Sequence, residues 1–529
     1  MAVLPTTRRI APEASARTVT PRDVGDRIPY AIILAVMLGN FLGPLYSSTA
    51  NVIVPNLIAS FGADVNTIEW VVTGYMLGYS TAMPLAGWLA DTYGRRRTYL
   101  LGLTTFVAFS IAASLAWNTW SLIAFRILQA VGGGIISPTA MAIMTDVVPP
   151  ARRGMVLGLW GMGMMLAPAF GPWISGLIVD NLDDWRLVFW LGVPIGIAGL
   201  VAASLVLPQK SEERSEAVVF DAPGFAMLAS AIAAFLIPLT QGNRVGWDDD
   251  WIRTSFVAAA LLFVGFVWRE LHCEAPMLDL RLFAERTFAV AVVLRMVVGL
   301  SYYFAIFLLP LFTQDVLGWD ATQSGAVLIP AGLTMSVLMP ISGTLADRIG
   351  SRPLVLTGMC IAAYGTLLFA SIDNTWDAVR IMLCNAVRTG AIGVLFTPLT
   401  IAALMKIPRT RIGAASGMLN TVWQLGGSLG IALGETYLTN RTAERFSEIV
   451  SSATVSHAPF VETLHRLQAV ALAHHLPPDA ALVALQRILL NLATIRAYGD
   501  TFFIGAAIMA ATVPAAWFLG KGSVARRSG

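Results

Sequence analysis

Gly87-Trp88-Leu89-Ala90-Asp91-Thr92-Tyr93-Gly94-Arg95-Arg96-Arg97 lies between two long apolar segments, and it returns as Gly343-Thr344-Leu345-Ala346-Asp347-Arg348-Ile349-Gly350-Ser351-Arg352 between two others. Both copies have the form G-x-L-A-D-x-x-G-x-R. A charged stretch this short, set between apolar runs of membrane-spanning length, has to be a tight loop at a membrane surface. Two copies in the same setting divide the chain into two related halves. The residue types suit such a loop. Gly87, Gly94, Gly343 and Gly350 let helices approach closely. Asp91 and Asp347 can meet a helix N-terminus or an arginine, and Arg95 and Arg352 belong to clusters that stay on the cytoplasmic side.

Composition sets the class. Of 529 residues 56% are hydrophobic and only 13% charged, against roughly 25% charged in soluble domains. Apolar stretches of about 20 residues recur, each long enough to cross a bilayer, so the chain reads as an all-α polytopic membrane protein. About fourteen spans are expected, among them 29–54, 187–207, 322–345, 411–437 and 499–520. The net charge of +3 says less than where the arginines fall. One set of turns carries Arg95-Arg96-Arg97, Arg152-Arg153, Lys210 with Arg214, Arg281 with Arg286, Arg348 with Arg352, and Lys406 with Arg409 and Arg411. The alternate turns are short and poor in positive charge. The positive-inside rule puts the basic set and both termini in the cytoplasm.

The two loops then parse the chain. Residues 1–28 are a disordered cytoplasmic tail, 29–207 a first six-span half, and 208–286 a linker with two extra spans. Residues 287–520 are a second six-span half, and 521–529 a cytoplasmic tail. The second half includes a long outside loop, 439–498. In that loop Phe460, Leu464, Leu467 and Ala471 form one helical stripe and Leu482, Leu485, Leu489 and Leu492 another. These stripes fit either a lid packed on its own protein or a docking surface for a partner. The histidines there have no trustworthy ligand spacing, and no metal or cofactor is expected. No phosphate-binding P-loop is present, which argues against ATP drive.

Polar and small residues inside the spans carry the functional expectations. Arg126 in the fourth span costs about 2.5–3.5 kcal/mol on insertion scales, so it should face a polar interior, beside Gln129. Asn40, Tyr46, Ser47 and Asn51 of the first span, Thr73 and Ser80 of the second, and Asn420 and Gln424 of the thirteenth are candidates to line a central, mostly apolar cavity. Interhelical hydrogen bonding accounts equally well for any one of them. In the fifth span Gly163, Ala167, Gly171 and Ser175 recur every four residues, a stripe for close helix contact, with Pro168 and Pro172 as soft points and Gly176 at its end. Arg295 and Arg388 are further buried-looking cations.

The paired loops resemble the signature of the major facilitator superfamily. The run Ala167 to Gly176 resembles the antiporter motif of its drug exporters, and Arg126 to Gly132 its fourth-span motif, which that resemblance ties to proton coupling. Together with about fourteen spans, the chain from 29 to 520 is similar to the EmrB/QacA-type drug:proton antiporters. The long outside loop and Tyr498-Gly499-Asp500-Thr501-Phe502 look most like the EmrB branch, which works with a periplasmic adaptor and an outer-membrane channel. The resemblance implies a secondary exporter of hydrophobic or amphiphilic toxic compounds in a bacterial inner membrane. Its partners would be small hydrophobic substrates, protons and the lipid bilayer, with no nucleic acid and no enzymatic chemistry. In the family's first-span pattern an acid stands where this chain has Tyr46. A phenol titrating near pH 10, about three units too high, carries protons poorly at neutral pH. Glu69 with Arg126 is the substitute expected for proton linkage, and Glu435 a reserve. An exporter or uniporter of one metabolite, such as a siderophore or fatty acid, and a polytopic membrane enzyme are the alternatives.

Overall fold

The computed structural model describes residues 29–148, 152–208, 220–273, 276, 278–408, 411–452, 458–473, 477 and 479–520. Both tails, the linker residues 209–219, Arg409, His457, His474 and His475 lie outside the described residues, as does the side chain of Asn51.

The first group of helices is α1 (Tyr30–Phe61), α2 (Val65–Tyr93), α3 (Arg95–Ser114), α4 (Thr119–Val147), α5 (Arg153–Leu182), α6 (Arg186–Trp190) and α7 (Gly192–Val206). An extra pair follows, α8 (Ala222–Val245) and α9 (Asp250–His272). The second group is α10 (Arg286–Asp315), α11 (Ala321–Ala326), α12 (Ile329–Ile349), α13 (Ser351–Leu368), α14 (Ala378–Leu404), α15 (Ile412–Ser452), α16 (Ala458–Ala473) and α17 (Asp479–Thr512). Apart from short 3-10 turns, all regular structure among the described residues is α-helical. In a bilayer this is the expected outcome, because only a helix satisfies every backbone group within its own segment. Among the described residues, eleven helical segments are long and apolar enough to cross a membrane. α2, α3 and α15, of 29, 20 and 41 residues, pack among them, which is compatible with fourteen spans.

The packing repeats. α2 lies on α4 as α12 lies on α14, α1 on α5 as α10 on α15, and α3 on α4 as α13 on α14. α8 and α9 pair with one another, and α8 also reaches both α2 and α15. Helix starts are fixed locally. Asn118 accepts from the Ser121 N–H at 2.7 Å in a capping box, and Asp320 and Asp377 start α11 and α14 by accepting from the Gln323 N–H at 2.6 Å and the Arg380 N–H at 3.0 Å.

The expected sixth and tenth spans are each one continuous apolar segment, Arg186–Val206 and Thr322–Ile349, with only a local turn at Leu191 between α6 and α7 and at Val327 and Leu328 between α11 and α12. One expectation is corrected. The long outside loop is largely not a loop. α15 continues to Ser452 and α17 already starts at Asp479, so the stripe from Leu482 to Leu492 belongs to the final spanning helix rather than to a lid. Arg441 Nε and Arg445 Nε, each 2.8 Å from Asp500 Oδ2, tie these two extensions together. Once paired, the extended helices leave no reason to unwind at the membrane surface. Only α16 is separate, and it packs on α17.

Candidate functional site at the seam between the halves

Each signature loop ends its helix at a glycine with positive φ, 84° at Gly94 and 86° at Gly350. Side chains other than glycine rarely adopt that backbone. The acid three residues earlier then meets the other half. Asp347 Oδ1 accepts the Gly154 N–H at 3.2 Å, at the start of α5. Asp91 lies reciprocally at the start of α15, where a Cβ on Gly413 would stand 3.3 Å from its Oδ1. A helix N-terminus presents unpaired N–H groups and the positive end of the dipole, so a carboxylate is favoured there.

The helix flanks repeat the pattern. A Cβ on Gly87 would come within 3.2 Å of Ala414 Cα, and one on Gly417 within 3.1 Å of Met83 O. In the mirror contact, Gly158 packs on Met339 and Pro340, and Gly343 on Gly154. Gly87, Asp91, Gly343 and Asp347 are thus brought together with the opposite half. Arg95 and Arg352 find partners in their own halves: Arg95 pairs with Asp146 and donates to Ala142 O at 3.1 Å, while the Arg352 guanidinium lies 4.0 Å from the Trp517 ring centre. Sequence reasoning missed Gly154 and Gly158. Their four-residue spacing, shared by Gly413 and Gly417, was the available signal.

The expected stripe in α5 faces its own half instead. Gly171 packs on Ser48 and Leu45, and Gly163 stands near Met37 and Asn40. Ala167 is buried, and Pro168 and Pro172 lie within the helix. At its far end Gly176 approaches Thr322, whose hydroxyl donates to Asp180 at 2.8 Å and joins α5 to α11. α5 therefore carries two small-residue faces, one per half.

Arg126 is fully buried. Its Nη1 donates to Gln129 Oε1 at 2.8 Å, its Nη2 to Tyr46 O at 3.0 Å and its Nε to Val71 O at 3.4 Å, with the Tyr75 ring centre 4.0 Å away. Gln129 passes a hydrogen bond to Ser110, and the Tyr46 hydroxyl donates to Phe189 O at 2.7 Å. The expected pairing of Arg126 with Glu69 does not occur. Glu69 meets Arg244 of α8 at 2.7 Å, both side chains about two-fifths exposed. Val71, two residues on, supplies the carbonyl to Arg126, and helical residues two apart face different ways. Asn243, beside Arg244, accepts from Thr436 at 2.6 Å next to Glu435. One helix from outside the two halves thus reaches both candidate acids.

The expected cavity residues are distributed along packed seams. Asn40 donates to Trp160 O at 3.0 Å, Ser47 to Pro44 O at 2.7 Å, and Asn420 to Ser416 O at 2.9 Å. Gln424 Oε1 faces the Tyr303 hydroxyl at 3.5 Å, Ser80 is buried and Thr73 half-buried. A small cavity between α5, α10, α12 and α14 is lined instead by Ala169, Tyr302, Ile306, Gly332, Asn385 and Thr389. In the second half Arg388 repeats the role of Arg126, donating to Ser301 O at 3.1 Å and to Asn385 Oδ1 at 3.2 Å.

Residues 36–431 match the family described as Major Facilitator Superfamily. The chain is 31% identical to the multidrug export protein EmrB of Escherichia coli K12, over 79% of this chain and 82% of that protein. It is 32% identical to a multidrug resistance protein B homolog of Mycobacterium tuberculosis H37Rv, over 75% and 73%. It is also 31% identical to the uncharacterized MFS-type transporter YhcA of Bacillus subtilis, over 85% and 83%. Among solved structures, the human organic anion transporter MFSD10 superposes with a TM-score of 0.56 at 16% identity, covering 91% of this chain and 100% of that one. The proton:xylose symporter XylE gives 0.54 at 14%, covering 92% and 96%. With its repeated helix packing and reciprocal signature loops, the chain belongs to the major facilitator superfamily.

Proposed function

We propose that this transporter exports hydrophobic or amphiphilic toxic compounds by proton antiport, through alternating access. The observation that carries the reading is the reciprocal seam: Asp347 on the start of α5 and Asp91 on the start of α15. Contacts of this kind, made between halves by single carboxylates on helix ends, can be broken and remade as the halves rock. Relatives named for multidrug export and multidrug resistance support the substrate class. On this reading residues 29–207 and 287–520 are the moving halves, and 208–286 supplies the extra pair. The signature loops and both tails are cytoplasmic at a bacterial inner membrane, as the arginine distribution favours. α16, on the outer side, would meet a periplasmic adaptor leading to an outer-membrane channel.

Proton linkage is assigned to Glu69 and Glu435, with Arg244 and Asn243 of α8 as their shared neighbours. Arg126 serves as a fixed positive charge held by carbonyls. The test is efflux into everted vesicles with and without a proton gradient. Wild-type protein should accumulate a lipophilic probe only with the gradient. Glu69→Gln with Glu435→Gln should abolish that accumulation while downhill exchange persists. Gradient-driven accumulation that survives the double substitution refutes the assignment of these acids, and accumulation indifferent to the gradient refutes antiport.

A further inference from the structure

Among the described residues three arginines are fully buried in the helical bundle: Arg126, Arg295 and Arg388. Arg126 and Arg388 have an acceptor for every guanidinium nitrogen that is shielded from solvent. Arg295 does not. Its Nη1 donates to Thr400 Oγ1 at 2.7 Å, but buried Nε and Nη2 find no acceptor among the described residues. Those two nitrogens form one edge of the guanidinium, the edge that accepts the two oxygens of a carboxylate or sulfonate side by side.

The surroundings of that edge are aromatic. The Arg295 guanidinium lies 3.6 Å from the Phe396 ring centre and 5.4 Å from that of Trp423. Phe396 meets Trp423 edge to face at 5.0 Å and stacks at 6.2 Å on Trp160 of α5, in the opposite half. Asn420, one turn before Trp423, touches Met141 of α4, also across the seam. Arg295 is therefore one ring layer behind the surface where the halves meet, nine residues into α10, or about 14 Å along its axis. Separation of α5 from α14 would uncover it. A cation kept buried without a counter-charge is costly, and an orphaned pair of donors beside stacked rings is satisfied best by an anion attached to a flat apolar body.

We propose that Arg295, with Phe396 and Trp423, is a recognition site for the acidic group of aromatic amphiphiles, so that the transporter selects carboxylates and sulfonates over their neutral counterparts. The inference rests on the export reading and names its substrate class. On the proposed orientation, Arg295 is reached from the cytoplasmic side when the signature seam opens, which is where an exporter loads.

The test uses the full chain in lipid nanodiscs and two probes of equal shape, 1-pyrenebutyrate and its uncharged amide. Wild-type protein should bind the carboxylate about tenfold more tightly, Arg295→Gln should bind the two alike, and Arg295→Lys should keep part of the preference. Equal affinities in the wild type, or a preference that survives Arg295→Gln, would mean that buried water alone serves these donors, and would overturn the site. The wild-type comparison decides the matter even if Arg295→Gln fails to fold. Everted vesicles separate the two levels. If the carboxylate binds preferentially but neither probe is pumped, the anion site stands and export fails. If both are pumped without preference, export stands and the site fails.

Discussion

Replacing Asp347 by asparagine should shift the transporter towards the state in which the signature seam is open. Asp347 Oδ1 accepts the Gly154 N–H at 3.2 Å and the Met155 N–H also bonds the carboxylate, so a full negative charge sits on the first turn of α5. Asparagine keeps an acceptor and loses the charge. A charged acceptor is worth about 1 kcal/mol more than a neutral one, and the helix dipole adds about 0.3–1 kcal/mol. Burial of the carboxylate opposes both, and asparagine avoids that cost, so the net is at most about 1–2 kcal/mol; it exists only while the halves touch here and converts into at most roughly a five- to thirtyfold change in the ratio of the two states. Spin labels at the exposed Tyr93 and Arg348, one in each half, report the seam. The longer distance should gain population in Asp347→Asn and gain again when Asp91→Asn is added, while substrate affinity changes little. Transport that falls with an unchanged distance distribution would refute the reasoning, as would a parallel loss of affinity, because either result would put these acids to work somewhere other than in the seam.

Glycine substitutions discriminate between the two faces of α5. Gly158→Val places new atoms against the backbone of Met339 and Pro340 and should reduce transport more than about tenfold, whereas Gly163→Ala, whose nearest neighbours are 3.7–3.8 Å away, should be tolerated in the same vesicle assay. Replacing residues 453–478 by a short Gly/Ser linker removes α16 but keeps the Arg441–Asp500 tie, so transport in liposomes should persist while resistance in cells with an outer membrane is lost. Loss in both assays would make α16 structural. For Asp221, burial pushes the carboxyl up, but the Arg269 side chain and the Gly224 N–H outweigh it and leave it below its ordinary range. A lowered native pKa contributes stability above the unfolded value near 3.9, and that contribution is lost only as pH falls through the native value. Hydrogen exchange at the start of α8 should therefore stay slow from about pH 7 to 5 and quicken below about pH 4, and Asp221→Asn should remove that step.

The membrane class, the repeat and the loops were legible because they depend on local properties. Apolar length specifies a span. Gly94 and Gly350 mark their own turns through backbone sterics, and Arg126 announces burial wherever it is placed in an apolar run. Partnership was decided by the tertiary structure. Glu69 was expected beside Arg126, yet two residues along α2 change the face, and α8, which no pattern within the first half reveals, supplies Arg244 instead. The stripe at Gly163 and Gly171 advertises close packing but not against what, and the fold gives it to α1 while Gly154 and Gly158 take the opposite half. The outside loop resolved into extensions of α15 and α17 because Arg441 and Arg445 find Asp500, more than fifty residues away in sequence. A side chain's cost of burial is written in its own chemistry, whereas the identity of the group that offsets it depends on which helices the fold sets side by side. Arg295 was visible in the sequence as a buried cation, and only the packed structure shows that it has two donors to spare.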